Sequence, residues 1–145
     1  MTCQNSPSQT DLATLLLTLN PRKAMASNKR LLKKEIRMIC GALAGECVVA
    51  KITVPGIDRE QLNAIIYELA DLQENALRRI SITFPQSPKA FANEGEYRKA
   101  RRAYFAAAFG KLKAEFNAHI EAIVKKMNAT LPQEQKDANI AALKA

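Results

Sequence analysis

Apolar residues recur at steps of three and four along most of the chain, which is the spacing of amphipathic helices. The pattern predicts helices over residues 10–19, 27–43, 58–80, 93–127 and 131–144. Capping residues such as Ser27 and Asp58 precede them, and prolines separate several of them. We therefore predict a mainly α fold, a single helical domain of four to five helices over residues 10–145. The polar composition of residues 1–9 predicts a flexible N-terminal tail before this domain.

The helix predicted near residues 93–127 exceeds thirty residues and is long for a compact domain. Such a helix either crosses the whole domain or packs against a second subunit, so a homo-oligomer stays open. One side of this helix changes character along its length. Its first half carries the arginines Arg98, Arg101 and Arg102, and its second half carries the apolar residues Phe109, Leu112 and Phe116. A charge is tolerated on that side only where water or an anion can reach it. We interpret the change as the rim of a groove.

Two short stretches have the composition of strands. Residues 47–54, CVVAKITV, are rich in β-branched side chains and end at Pro55-Gly56. Residues 80–84, ISITF, alternate apolar and polar positions before a proline. Together they predict a minor two-stranded β ribbon. Two strands alone are only marginally stable, so extended chain or a helix end is the alternative for either stretch.

The net charge of +8 comes from two separated blocks of the sequence. Residues 1–56 and 97–145 are both basic, whereas residues 57–96 are acidic overall. A basic chain of this kind suits nucleic acid, an anionic membrane surface or an acidic protein. No apolar run reaches the length of a membrane span, and the apolar run at residues 12–19 precedes the first positive charge, which is the wrong order for a secretory signal. We therefore expect no membrane partner.

The first candidate binding cluster lies on one side of the helix over residues 27–43. It consists of Arg30, Lys33, Lys34 and Arg37. All four point away from the apolar stripe of that helix, and only Glu35 lies among them. Like charges on adjacent turns repel one another, so the cluster suits an external anion. The alternative is an ordinary solvated helix face.

The second candidate cluster lies on the long helix and consists of Arg98, Arg101 and Arg102, flanked by Tyr97 and Tyr104. Guanidinium groups match the geometry of phosphate, and bases can stack on an exposed ring. The alternative assigns both residue types to the fold. In that case the arginines pair with the acidic residues Glu68, Asp71 and Glu74 of the preceding helix, and the tyrosines belong to the core.

Residues suited to catalysis or metal binding are few and scattered. Cys3, Cys40 and Cys47 have neither a disulfide framework nor a zinc spacing, which predicts reduced thiols in a cytoplasmic protein. His119 is the single histidine, so it has no histidine partner for a metal. The five glycines form no phosphate-binding loop, and no nucleophile elbow is present. We expect no enzyme activity, no metal and no cofactor.

These patterns favour a non-catalytic nucleic-acid-binding protein, acting as an accessory or structural subunit of a larger complex. It would contact the phosphate backbone of DNA or RNA through its two basic helix faces. The alternative is a helical adaptor that docks an acidic or apolar protein partner through the long helix. A nucleic-acid binder should place both basic clusters on one continuous face, whereas an adaptor should expose an apolar stripe along residues 105–127.

Overall fold

The computed structural model describes residues 28–144, which form a mainly α single domain. Its elements are helices α1 (Lys29–Thr53), α2 (Arg59–Ile80), a 3₁₀ turn (Pro88–Ala90), α3 (Glu94–Thr130) and α4 (Gln133–Lys144). Within residues 28–144 there is no strand. The mainly α prediction is confirmed for this part of the chain. The predicted tail at residues 1–9 and the helix at residues 10–19 lie outside the described residues.

The strand predicted over residues 47–54 is wrong, because α1 continues through this stretch to Thr53. Val54 caps the helix, and its N–H donates to the carbonyl of Ala50 at 3.0 Å. Cys47 and Ala50 extend the buried stripe of Leu43 at steps of four and three, and both are buried. Burial of this stripe outweighs the weak strand preference of the β-branched residues between them.

The strand predicted over residues 80–84 is also wrong. Ile80 is the last residue of α2, and the Ser81 N–H and hydroxyl both donate to the carbonyl of Leu77. The residues that follow form irregular chain up to the 3₁₀ turn. A ribbon would need a second strand, and the stretch predicted to supply it is the end of α1.

Helices α1 and α2 form an antiparallel pair joined by a tight turn. Gly56 has a φ of 75° in this turn, a left-handed conformation that glycine adopts without strain. Asp58 then caps α2, because its side chain accepts hydrogen bonds from the N–H groups of Glu60 and Gln61 at 3.1 and 3.2 Å. Local chemistry therefore fixes the point where the chain reverses.

Helix α2 packs between α1 and α3. It runs antiparallel to α3, with ion pairs from Arg79 to Glu115 near one end and from Lys126 to Glu68 near the other. Because α2 ends one residue after Arg79, the first turns of α3 project beyond it. We call residues 94–108 the overhang, which is about 22 Å long at 1.5 Å per residue.

The buried part of α3 begins where the overhang ends. Its buried residues are Phe109, Leu112, Phe116, Ile120, Ile123, Val124 and Met127. They pack with the apolar stripes of α1 and α2 in one core, and every buried residue among those described is hydrophobic. The helices of residues 28–144 include none with an apolar stretch long enough to cross a bilayer.

Candidate nucleic-acid interface

An open groove of about 860 Å³ runs along the overhang and the first buried turn of α3. The described residues that line it are Tyr97, Arg98, Arg101, Arg102, Phe105, Ala106, Phe109, Gly110 and Lys113. These residues lie on or next to the side of α3 that faces the core after Phe109. The groove therefore contains four residues predicted from the sequence, Tyr97, Arg98, Arg101 and Arg102. It lies where this side of α3 changes from arginines to apolar residues.

The three arginines of the groove are exposed and point to solvent. Arg98 pairs with Glu94 one turn earlier at 2.6 Å, and both side chains are largely exposed. A pair of this kind contributes only about 0.3–0.5 kcal/mol. Arg101 and Arg102 form no salt bridge with any described residue.

The acidic residues of α2 do not reach these arginines. Glu68 pairs with Lys126 of α3, and Glu74 pairs with Arg78 on its own helix. The remaining ion pair between α2 and α3 joins Arg79 to Glu115. Among the described salt bridges, none therefore ties the arginines of the groove to α2, and the alternative based on such pairing has no support from these contacts.

Phe105 is the point at which the start of α1 meets the groove. The Nζ atom of Lys29 lies 4.5 Å from the centroid of the Phe105 ring, and the Cζ atom of Arg101 lies 5.2 Å from it. Lys29 also donates a hydrogen bond to the carbonyl of Ile82 at 2.8 Å. A fourth cation is thus held at the rim, against the electron-rich face of an aromatic ring.

Tyr97 and Tyr104 take part in an aromatic cluster rather than standing free. Phe84 lies 5.7 Å from Tyr97 and 5.4 Å from Tyr104, and Phe91 lies 5.7 Å from Tyr97, measured between ring centroids. Both tyrosines are half-buried. Their rings hold the loop of residues 81–93 against the overhang, because aromatic pairs at these separations attract one another.

The other four predicted residues lie on α1, outside the groove: Arg30, Lys33, Lys34 and Arg37. Lys33 lies about five turns before Lys51 and so points in nearly the same direction. Lys51 donates a hydrogen bond to Asn63, on the side of α2 opposite the side that contacts α3. The structure therefore directs Lys33 and its neighbours away from the groove, and does not unite the two clusters there.

Sequence reasoning missed three residues of this region. Lys29 directly precedes the basic cluster of α1, but nothing in the sequence indicates that it reaches a ring on another helix. Phe84 and Phe91 left a weak signal, because they bracket the proline-rich break between α2 and α3. A pair of phenylalanines in an otherwise polar connection predicts that the connection packs against something apolar.

Cys40, Cys47 and His119 are the other reactive side chains that the sequence analysis singled out within the described residues. Burial raises the pKa of the Cys40 and Cys47 thiols to about 11, so both stay protonated at neutral pH and react poorly. Nδ1 of His119 contacts the carbonyl oxygen of Glu115 at 2.9 Å. Among the side chains that the structure describes, no group of three or more His, Cys, Asp or Glu residues is placed to hold a metal ion.

Comparison of the chain with protein-family models, with curated proteins and with solved structures found no match. Relatives therefore supply neither a family nor a site. The feature of this chain that suggests a function is the row of exposed arginines along the overhang, Arg98, Arg101 and Arg102.

Proposed function

We propose that this protein binds nucleic acid without catalysis, through phosphate contacts made by the groove on the overhang. The supporting observation is that Arg98, Arg101 and Arg102 lie exposed along one groove, beyond the reach of the acidic residues of α2. The planar guanidinium of arginine matches both carboxylate and phosphate groups. Two of these three arginines have no carboxylate partner among the described salt bridges, which leaves them suited to phosphate.

The spacing of these arginines suits a polyanion. Arg98 and Arg102 are separated by about 6 Å along the helix axis. Each strand of a duplex carries one phosphate per about 3.4 Å of the duplex axis, so a span of about 6 Å along that axis covers about two successive phosphates. Lys29 adds positive charge at the rim of the groove, where its Nζ atom lies over the Phe105 ring.

The groove offers charge rather than a pattern of base-reading groups. Between its charged and aromatic residues it is lined by Ala106 and Gly110, neither of which has a polar side-chain atom. Phosphate contacts position a nucleic acid but carry no sequence information. Weak sequence preference is accordingly part of the proposal, as is a role as an accessory subunit that supports a larger nucleic-acid complex in the cytoplasm.

The test compares two charge reversals of equal size. Arg101→Glu with Arg102→Glu alters the groove, whereas Arg59→Glu with Lys125→Glu alters exposed cations elsewhere, and each pair changes the net charge by the same amount. Binding of a labelled 20-nucleotide single strand and of a 20-base-pair duplex is measured by fluorescence anisotropy over a salt series. We expect the groove variant to lose roughly two orders of magnitude in affinity and the control variant about tenfold or less.

Salt dependence gives a second readout. For the duplex, the log–log slope should be about −0.9 per phosphate neutralised and should become shallower by about two in the groove variant. Equal losses in both variants would show a general effect of net charge and contradict a groove. A parent protein that binds neither probe at low salt would overturn the proposal.

A helical adaptor is the second candidate function. The apolar stripe along residues 105–127 that this function predicts is largely buried in the core. An exposed apolar strip exists instead on α1, where Met38 and Ile52 are 62% and 78% exposed. Protein docking at α1 with no affinity for either oligonucleotide would favour the adaptor.

A further inference from the structure

The groove of the overhang has an apolar part as well as a charged part. Besides its arginines, it is lined by the rings of Tyr97 and Phe105 and by the exposed Ala106. Both rings are half-buried, so each keeps part of its surface accessible. Cations that bound only phosphates would need no apolar surface beside them. The lining therefore suits a ligand that carries both an anion and an apolar ring in each repeating unit.

Cations and rings follow one another along this part of α3. Tyr97 directly precedes Arg98, and Phe105 lies one turn after Arg101, whose Cζ atom is 5.2 Å from the centroid of that ring. The two rings are about 12 Å apart along the helix axis, so they can contact different nucleotides of one strand. Guanidinium groups stack on bases as well as binding phosphates, so the arginines can contribute to both kinds of contact.

We propose that the groove binds single-stranded nucleic acid in preference to duplex, with bases against Tyr97 and Phe105 and phosphates on the arginines. This inference rests on the function proposed above and names the form of nucleic acid that the groove takes. In a duplex, each base face is covered by the next base pair, so only phosphates, sugars and base edges can reach the groove. In a single strand the faces are accessible, and their stacking on aromatic side chains tolerates any sequence.

Charge alone favours the opposite preference. A duplex carries one negative charge per about 1.7 Å of its axis, a higher density than that of either strand by itself. A groove that acted only through its cations should therefore bind the duplex at least as tightly as the single strand. A preference for the single strand would have to come from contacts with bases.

The first experiment changes the ligand and leaves the protein intact. Fluorescence anisotropy of the full chain compares three labelled probes: a 20-nucleotide thymidine strand, an abasic strand with the same number of phosphates, and a 20-base-pair duplex. The thymidine strand should bind at least about tenfold more tightly than the abasic strand, and more tightly than the duplex. The ratio between the thymidine and abasic strands should change little between about 50 and 200 mM salt, because the two strands release similar numbers of counterions.

The second experiment changes one ring at a time. Tyr97→Leu removes a ring that lines the groove, whereas Tyr104→Leu removes a half-buried ring outside the lining. The two variants are matched, because each tyrosine contacts Phe84 and one further aromatic ring. Tyr97→Leu should weaken binding of the thymidine strand about fivefold or more and leave binding of the abasic strand unchanged. Tyr104→Leu should change neither affinity appreciably, although thermal melts should show similar losses of stability in both variants.

Three outcomes would overturn the inference and leave the phosphate-binding groove standing. The first is equal affinity for the thymidine and abasic strands, and the second is tighter binding of the duplex than of the thymidine strand. The third is an equal loss of affinity in Tyr97→Leu and Tyr104→Leu, which would show that Tyr97 acts only through the aromatic cluster. A parent protein that binds none of the three probes at low salt would instead overturn the proposed function, and this inference with it.

Discussion

The two halves of α3 share one helix and one orientation but differ in what covers them. From Phe109 onward, the core-facing side is covered by α1 and α2, and its buried residues up to Phe116 are all hydrophobic. In the overhang the same side carries Arg98 and Arg102, both exposed. The identity of a side chain on this face therefore depends on whether another helix covers that turn, because a buried unpaired charge is far more costly than an exposed one.

The overhang is not simply an unsupported helix end. The loop of residues 81–93 packs against one side of it through Phe84 and Phe91, and leaves the arginine side open. The buried half, by contrast, has ion pairs to α2 at its margin, through Glu115 and Lys126. One half of α3 is thus stabilised by a helical core and the other by a small aromatic cluster.

The largest expected effect is a difference in stability between substitutions in the buried half of α3 and substitutions in the overhang. Phe116→Ala removes a ring that is 1% exposed, and we expect it to lower the free energy of unfolding by about 3–5 kcal/mol, since it creates a cavity in the core. Arg102→Ala lies about four turns earlier on nearly the same side and should change stability by less than about 0.5 kcal/mol. Urea unfolding followed by circular dichroism measures both.

Similar losses of unfolding free energy in Phe116→Ala and Arg102→Ala would contradict the distinction between a covered half and an exposed half of α3. So would a small loss in Phe116→Ala together with a large loss in Arg102→Ala, because the arginine would then contribute to the fold rather than to an exterior surface.

A smaller effect should follow from loosening the aromatic cluster. Phe84→Ala removes the ring that contacts both Tyr97 and Tyr104, and we expect a loss of about 1–2 kcal/mol at most. The loss should be local. Hydrogen exchange of the backbone amides should accelerate across residues 95–104 and stay unchanged across residues 116–127.

Tyr67→Ala serves as the control for this measurement, since it removes an exposed aromatic ring that makes no contact with the overhang. Uniform acceleration of exchange along all of α3 in Phe84→Ala would show that the two halves unfold together, and the division at Phe109 would be wrong.

The smallest effect concerns the ion pair at the margin of the buried half. The hydrogen bond from Arg79 holds the pKa of Glu115 below its ordinary value of 4.5. A lowered folded-state pKa means that Glu115 contributes stability above about pH 4.5, and that this contribution is lost as the pH falls through the folded-state pKa. Glu115→Gln should therefore be slightly less stable than the parent at neutral pH.

The difference between Glu115→Gln and the parent should disappear in acid, as shown by thermal melts over a pH series. A difference that persists at low pH would indicate that the glutamine disturbs packing, and that the charge of Glu115 is not responsible.

Several features of the fold were predictable because their causes are local. Asp58 begins α2 as its capping residue, and the side chain of Asn93 accepts a hydrogen bond from the Glu96 N–H at the start of α3, as the sequence pattern predicts. The end of α1 was not predictable from propensity. The β-branched residues near Val48 suggest a strand, but the continuing stripe at Cys47 and Ala50 favours a helix, and burial decided between them.

The candidate site likewise has a part that was predictable from the sequence and a part that was not. Helical spacing alone predicts that Arg98, Arg101 and Arg102 share one side of the helix. The position of Lys29 over the Phe105 ring was not predictable, because it depends on how the start of α1 packs against α3. The aromatic role of Tyr97 likewise depends on a loop whose path has no periodicity to reveal it.

The placement of the arginines in the first turns of α3 has a further consequence. Arg98, Arg101 and Arg102 lie in the second and third turns of this helix, close enough together to repel one another. Glu94 and Glu96 in the first turn offset part of that repulsion. An anion bound along the groove would offset the rest, and it would stabilise the state to which it binds. If the proposed groove binds such an anion, its occupancy and the helical order of the overhang would be linked equilibria, each strengthening the other.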